Sequence, residues 1–238
     1  MSSEGRPFML VEVTAADIAA CEFRNWHPLF SCSIPSRVIE LPPTFVQYLL
    51  ADGLVLPREA EDGLDESQPT DEPACVSFPE LSRRISEAIR ELGGAVFVKL
   101  NWSAPTDADW IRHQALRCCS PSDVYLLLKA SDRAVFDIEH MVQSVQGGST
   151  TLDPVTLVLR TWVDIQPSME FRCFVFHQRL VGICQRECST YFPFLKHKKA
   201  VVRAEVASFF HSTVRPRFPL DSCESNLIYR LFEELRFS

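Results

Sequence analysis

Glycine is scarce, eight in 238 residues, and none falls in a GxGxxG or GxxxxGK[ST] run. The glycine-rich loops that cradle phosphates in dinucleotide-binding and P-loop proteins are therefore missing. HExxH and GxSxG are missing too, and no cysteine has a motif-placed histidine. Motif-borne zinc peptidase and nucleophilic hydrolase chemistry thus has no support. His113, His140 and His177 read as ordinary surface residues. No apolar run approaches the ~20 residues of a membrane span. Glu12 and Asp17 interrupt the N-terminal apolar stretch, unlike a secretory signal.

What is present describes a globular chain. Hydrophobic residues make up 46% and aromatics 11%, with 17 Phe, enough to fill a core. The net charge is -7, from 31 acidic and 24 basic residues. Glu59, Glu61, Asp62, Asp65, Glu66, Asp71 and Glu72 account for that whole excess, so the remainder is formally neutral. It has neither a general acidic field nor the basic surface that phosphate-backbone binding needs. Lys196, Lys198, Lys199 and Arg203 form the dense basic cluster, which reads as the solvated face of a helix. The nine cysteines are odd in number and irregular in spacing, as expected of reduced thiols in the cytosol or nucleus. Cys184, Cys188 and His197 offer three zinc ligands without a CxxC pair, and apolar neighbours favour buried free thiols.

Along the chain, TFVQYLLADG reads as a short helix after an aromatic, proline-punctuated segment. Residues 57–75 have hardly an apolar anchor and read as a flexible acidic loop, with the acidic segment 59–72 dispensable for folding. Ser77 and Glu80 have capping-box spacing, Pro79 suits the first turn, and Gly93-Gly94 ends that helix. AVFVKL (95–100) is an apolar strand. Helix starts follow at Thr106–Asp109 and Ser120–Asp123, an order that points to an α/β layer. Then VTLVLRTWVDI, MEFRCFVF and LVGICQRE read as strands, the last two as a hairpin. A helix over 196–214 and a strand over 226–232 complete the pattern.

Two constellations carry chemistry. Lys99 ends an apolar strand beside the polar turn Asn101-Trp102-Ser103-Ala104-Pro105. Such a lysine suits a phosphate, and equally suits an edge-strand side chain snorkelling to water. Arg160, Arg172 and Arg186, read as lying on three adjacent strands, would converge on a polyphosphate, with Trp162 and Val163 lining a purine slot. The plainer reading is a solvated sheet face with cross-strand Glu–Arg pairs, and pattern alone favours it.

LGGAVFVKLNWSAPTDADWI, RTWVDIQPSMEFRCFVFHQRLVGICQRE and WHPLF (Trp26–Phe30) resemble the cell-division-cycle-123 family, from about Phe23 to Tyr229. The resemblance implies an α+β, ATP-grasp-like fold, two α/β lobes around a nucleotide cleft, binding ATP and Mg2+. It also implies a cytosolic assembly factor that helps the γ subunit of eukaryotic translation initiation factor 2 join its partners. By the family's pattern, Lys99 contacts phosphates and Asn101, Trp102, Ala104 and Thr106 supply the following turn. Arg160, Thr161, Trp162 and Val163 frame adenine, and Arg172 with Glu170 stands on the phosphate side. Thr161 departs from the pattern, because family members often place a second basic residue there.

The family's metal ligands are an Asp before an Ile-Tyr-Arg strand and a later Asp-x-Asn. Here Leu227 precedes Ile228-Tyr229-Arg230, and LFEELRFS follows with only Glu233 and Glu234 as carboxylates. The expectation is a truncated form with an incomplete C-terminal lobe, no family metal ligands and weakened Mg-ATP binding. The expected organisation is an N-terminal arm over 1–56 packing on the body or a partner, the acidic loop over 57–75, a first lobe over 76–150 and a second over 151–238. The expected function is that of a cytoplasmic, monomeric, ATP-dependent chaperone, an ATP-binding protein rather than a catalyst, without nucleic acid or membrane partners. An ATP-grasp ligase forming an acyl-phosphate is one alternative, and a nucleotide-independent interaction module is another.

Overall fold

Pro79 at the first helical position and an apolar stripe set the largest helix of the N-terminal half. The computed structural model describes residues 19–58, 76–111, 116–146, 154–176, 178–217 and 231–233. The acidic run 59–72, Cys75 and Cys223 lie outside the described residues. The helices are α1 (Phe23–Trp26), α2 (Pro43–Leu50), α3 (Pro79–Glu91), α4 (Pro121–Lys129), α5 (Asp132–Gln146) and α6 (Pro193–Phe209). The strands are β1 (Ser36–Glu40), β2 (Val96–Lys99), β3 (Arg117–Cys118), β4 (Thr156–Thr161), β5 (Phe171–Phe176), β6 (Arg179–Gln185) and β7 (Leu231–Glu233).

In α3 the Leu81, Ile85, Ala88 and Ile89 side chains are buried on one face. The expected Ser77 cap is not made. Phe78 occupies the N-cap and its ring has no oxygen to accept a cap bond, so Glu80 falls at the second helical position and pairs with Arg83 at 2.7 and 3.0 Å instead. At the other end Gly93 and Gly94 take φ of +93° and +85°. Gly94 N–H donates to Ile89 O at 2.8 Å and Gly93 N–H to Arg90 O at 3.3 Å, a Schellman stop that turns the chain into β2.

The expected helix from Thr106 is only a 3-10 turn, Asp109–Ile111. Asp107 instead ties the turn to the start of α5, accepting from Ser131 Oγ at 2.7 Å and Arg133 N–H at 3.1 Å. The Ser120 signature does form its capping box, with Asp123 N–H to Ser120 Oγ at 3.3 Å and Ser120 N–H to Asp123 Oδ2 at 3.1 Å. Ser120→Ala should cost about 1 kcal/mol, read as a lower urea midpoint at unchanged slope. An unshifted midpoint would show that packing alone holds α4.

Among the described residues the strands form two sheets, one of order β1-β4-β2-β3 and one of order β6-β5-β7, and every pair is antiparallel. The chain divides into two compact units, one spanning Glu22–Trp162 and the other taking up the chain from Val163. This differs from the expected lobes. β4, assigned by sequence to the second lobe, lies inside the first unit's sheet, between β1 and β2. β1, assigned to an arm, is that sheet's edge, in register from Ser36↔Arg160 to Glu40↔Thr156. Ladder hydrogen bonds between strands 120 residues apart in sequence leave no local signature.

The first unit buries Phe45, Ile85, Tyr125, Leu127, Leu128 and Ile138 with the helix-facing side of its sheet. In the second unit, Val202 and Val206 of α6 pack on Phe171 and Cys173 of β5. The chain continues from α6 into a π-helical turn, Phe210–Val214. The expected strand over 226–232 is observed as Leu231–Glu233 on β5, and residues 226–230 lie outside the described residues. The expectation of buried thiols holds for Cys118 and Cys173, but Cys32, Cys119, Cys184 and Cys188 are exposed. Strand alternation explains Cys184, which stands opposite Arg172 on the face of β6 turned away from α6.

Candidate functional site

The two faces of the four-stranded sheet differ in chemistry. Ile39, Val96, Val98, Cys118, Leu157 and Leu159 face the helices and are buried. Residues paired across antiparallel strands share a face, and successive residues alternate. The pairs Phe97↔Arg117 and Phe97↔Arg160 therefore place two arginines and Phe97 in one row on the other face, with Lys99 two residues along β2. The Arg160 guanidinium carbon lies 5.9 Å from the Phe97 ring centroid.

Lys99 Nζ lies 5.2 Å from the centroid of Phe23, a fully buried ring. Phe23 is brought there by α1. Its N–H donates to Asn101 O at 3.1 Å, and its ring stacks on His27 at 4.6 Å. Burial pushes the Lys99 ammonium down from 10.5 to about 8; the Arg160 charge acts the same way, and Asp137 opposes them. Asp137 is itself engaged, accepting from Ser103 N–H at 2.7 Å and Ser103 Oγ at 2.9 Å. No hydrogen bond or ion pair to Lys99 is found among the described residues. The ammonium is thus desolvated, backed by an aromatic ring and set beside a second cation. An anion fits it.

The turn after β2 is built inward. Asn101 is 1% exposed, accepts from Thr156 N–H at 2.7 Å through Oδ1, and donates from Nδ2 to Glu22 Oε1 at 3.5 Å. Trp102 packs half-buried on the core. Ala104 and Thr106 are half-buried, and Thr106 N–H donates to Ala104 O at 2.7 Å. Thr161 stands opposite Val96, on the face away from Lys99, and Trp162 N–H donates to Ala95 O at 3.0 Å.

The candidate residues divide between the units. Lys99, Asn101, Trp102, Ala104, Thr106, Arg160, Thr161 and Trp162 belong to the first, and Val163, Glu170 and Arg172 to the second. The expectation of Arg160, Arg172 and Arg186 on three adjacent strands is corrected, because Arg160 is in one sheet and Arg172 in the other, with Arg186 just past β6. Glu170 and Arg186 form the cross-strand pair of the plainer reading, at 2.7 Å. Arg172 Nε is buried without a hydrogen-bond partner among the described residues. Arg117 was missed by sequence reading, since a two-residue strand has no period to detect. Among the described residues no three His, Cys, Asp or Glu gather as metal ligands do. Leu227 and Glu234 lie outside the described residues.

A family model described as D123 matches residues 26–230, which include both sheets' central strands and every candidate residue named above. The chain belongs to the D123 family. D123 relatives named "Translation initiation factor eIF2 assembly protein" include one from Sclerotinia sclerotiorum, 39% identical over 227 residues, and one from Dictyostelium discoideum, 34% identical over 253. "Cell division cycle protein 123" from Aspergillus terreus is 40% identical over 228 residues. These alignments cover 85–87% of this chain but 56%, 66% and 54% of the three relatives. The chain thus spans little more than half the length of the two fungal ones. Cdc123 from Schizosaccharomyces pombe superposes with TM-score 0.71 and 31% identity, covering 89% of this chain and 78% of that one. Its C-terminally truncated form gives TM-score 0.67 and 32% identity, covering 85% and 76%. The D123 chain shares the ATP-grasp-like fold of those structures.

Proposed function

We propose that this chain binds ATP on the face of its four-stranded sheet that carries Lys99 and serves as an assembly factor for eukaryotic translation initiation factor 2, holding the γ subunit. The observation that carries the nucleotide part is the Lys99 ammonium, desolvated on Phe23 beside Arg160 with no acceptor in reach among the described residues. Lys99 and Arg160 would hold phosphate oxygens, whose negative charge would relieve the repulsion between them. Mg2+ would add charge neutralisation at the phosphates.

The partner rests on the names carried by D123 relatives, which are eIF2 assembly proteins. The formally neutral remainder of the chain lacks the basic surface that nucleic-acid binding needs, which favours a protein partner, and the exposed free thiols suit the cytoplasm. The reading has the chain act as a monomer that holds its nucleotide rather than turning it over. Calorimetric titration with Mg-ATP, followed by capture of purified γ subunit with and without ATP, tests both parts. Saturable ATP binding and ATP-enhanced capture are expected. Capture indifferent to ATP would leave a nucleotide-independent interaction module.

A further inference from the structure

We propose that Asp137 is a positioning residue for the nucleotide site, fixing the turn that follows Lys99 and supporting the Lys99 charge without taking up its hydrogen bonds. The inference rests on the nucleotide reading above and deepens it. Ala134, Asp137 and Ile138 recur at helical spacing on one face of α5, and all three are buried. A carboxylate carried into such a place needs both hydrogen bonds and a counter-charge. Ser103 supplies the bonds, from N–H at 2.7 Å and Oγ at 2.9 Å. Both are neutral donors, and no Lys, Arg or His pairs with Asp137 among the described residues.

Ser103 also links this carboxylate to the end of β2. The N–H of Leu100, next in the chain to Lys99, donates to Ser103 O at 2.8 Å. Asp137 therefore holds the turn whose other end is the Lys99 backbone. Its charge acts on the same side chain. Burial and Arg160 push the Lys99 ammonium down to about 8, and Asp137 is the carboxylate that opposes them. Yet the two form no ion pair among the described residues. A carboxylate bonded to the ammonium would have to be displaced by phosphate and left buried and unpaired, at high cost. One tied to Ser103 supports the charge and leaves the Lys99 donors to the ligand.

The other charged and titratable groups of the elements around Lys99 are Arg160 on β4, Arg117 on β3, Asp107 in the turn, and Glu22, Arg24 and His27 at α1. Arg24 holds Glu22 at 2.7 Å, Ser131 holds Asp107 at 2.7 Å, and His27 Nε2 donates to Ile34 O at 2.7 Å. Carboxylates, imidazoles and guanidiniums ordinarily titrate outside the window from pH 7 to 8.5.

The test is calorimetric titration of the full chain with Mg-ATP at pH 7 and pH 8.5, for wild type, Asp137→Asn, Lys99→Met and the double variant. Asparagine keeps the shape of the side chain. Its oxygen can accept from Ser103 N–H and its amide can donate to Ser103 Oγ, so only the charge is lost. Asp137→Asn should weaken ATP binding roughly threefold at pH 8.5 and less than about twofold at pH 7, where Lys99 stays charged without help. In the Lys99→Met background it should weaken binding no further at either pH. An equal loss at both pH values, no loss at either, or a further loss in the double variant overturns the inference and leaves the nucleotide reading in place. A wild type that binds no ATP removes that reading and the inference with it. If Asp137→Asn does not melt as a folded protein, Ser103→Ala decides, because it keeps the carboxylate and breaks one of its bonds. Its loss of affinity should then be the same at both pH values, and a loss confined to pH 8.5 overturns the proposal.

Discussion

Lys99→Met is expected to weaken ATP binding roughly 10- to 150-fold, the equivalent of losing one charge-assisted contact of about 1.5–3 kcal/mol. Methionine keeps the apolar stem against Phe23 and removes the charge that burial and Arg160 both disfavour. The unliganded variant should therefore be at least as stable as the wild type at pH 7. A purely structural lysine would show the reverse, with stability lost and nucleotide binding kept. The same ammonium makes a pH signature. With its folded value lowered to about 8, Lys99 is charged at pH 7 and loses its proton as the pH rises through 8. ATP affinity of the wild type should fall across that window, and the Met variant should be flat. Unliganded stability moves the other way. Between about 8 and 10.5 the unfolded lysine holds a proton that the folded one has lost, so stability rises with pH there. Wild-type affinity unchanged up to pH 9.5 would remove Lys99 from the phosphates.

Asn101→Ala should act on stability first. The family pattern makes Asn101 a nucleotide contact, yet its amide joins three segments inside the first unit: β4 through Thr156, the turn after β2, and the approach to α1 through Glu22. Thr156 and Glu22 are 2% and 3% exposed, so the orphaned Thr156 N–H finds no water. Leaving it unsatisfied costs about 1–3 kcal/mol, and Glu22 loses its amide neighbour as well. Urea denaturation should show a midpoint shift of that size. ATP affinity, measured cold on the folded variant, should fall less than in Lys99→Met. Unchanged stability with abolished binding would return Asn101 to the ligand.

Which elements were legible depended on how local their causes are. The Schellman stop at Gly93-Gly94 and the Ser120–Asp123 capping box were readable because each closes within six residues. The Ser77 signature had the same local logic and failed, because Phe78 rather than Ser77 is the N-cap and Glu80 is one position short of the box. Asp107, whose place suggested a helix start, reaches across to Ser131 and Arg133 instead.

By itself the sequence determined the apolar strand ending in Lys99, the hairpin of β5 and β6, and the motifs by which the chain resembles its family. These depend on side-chain period and short turns, which act between near neighbours. Only the tertiary structure decided that β1 and β4 share the first unit's sheet, that Arg160 and Arg172 lie in different sheets, and that Arg117 joins Lys99 and Arg160 on one face. Those facts are set by strand register. Register is chosen when the apolar faces of distant segments are buried together, and one residue of slip would turn every side chain to the opposite face.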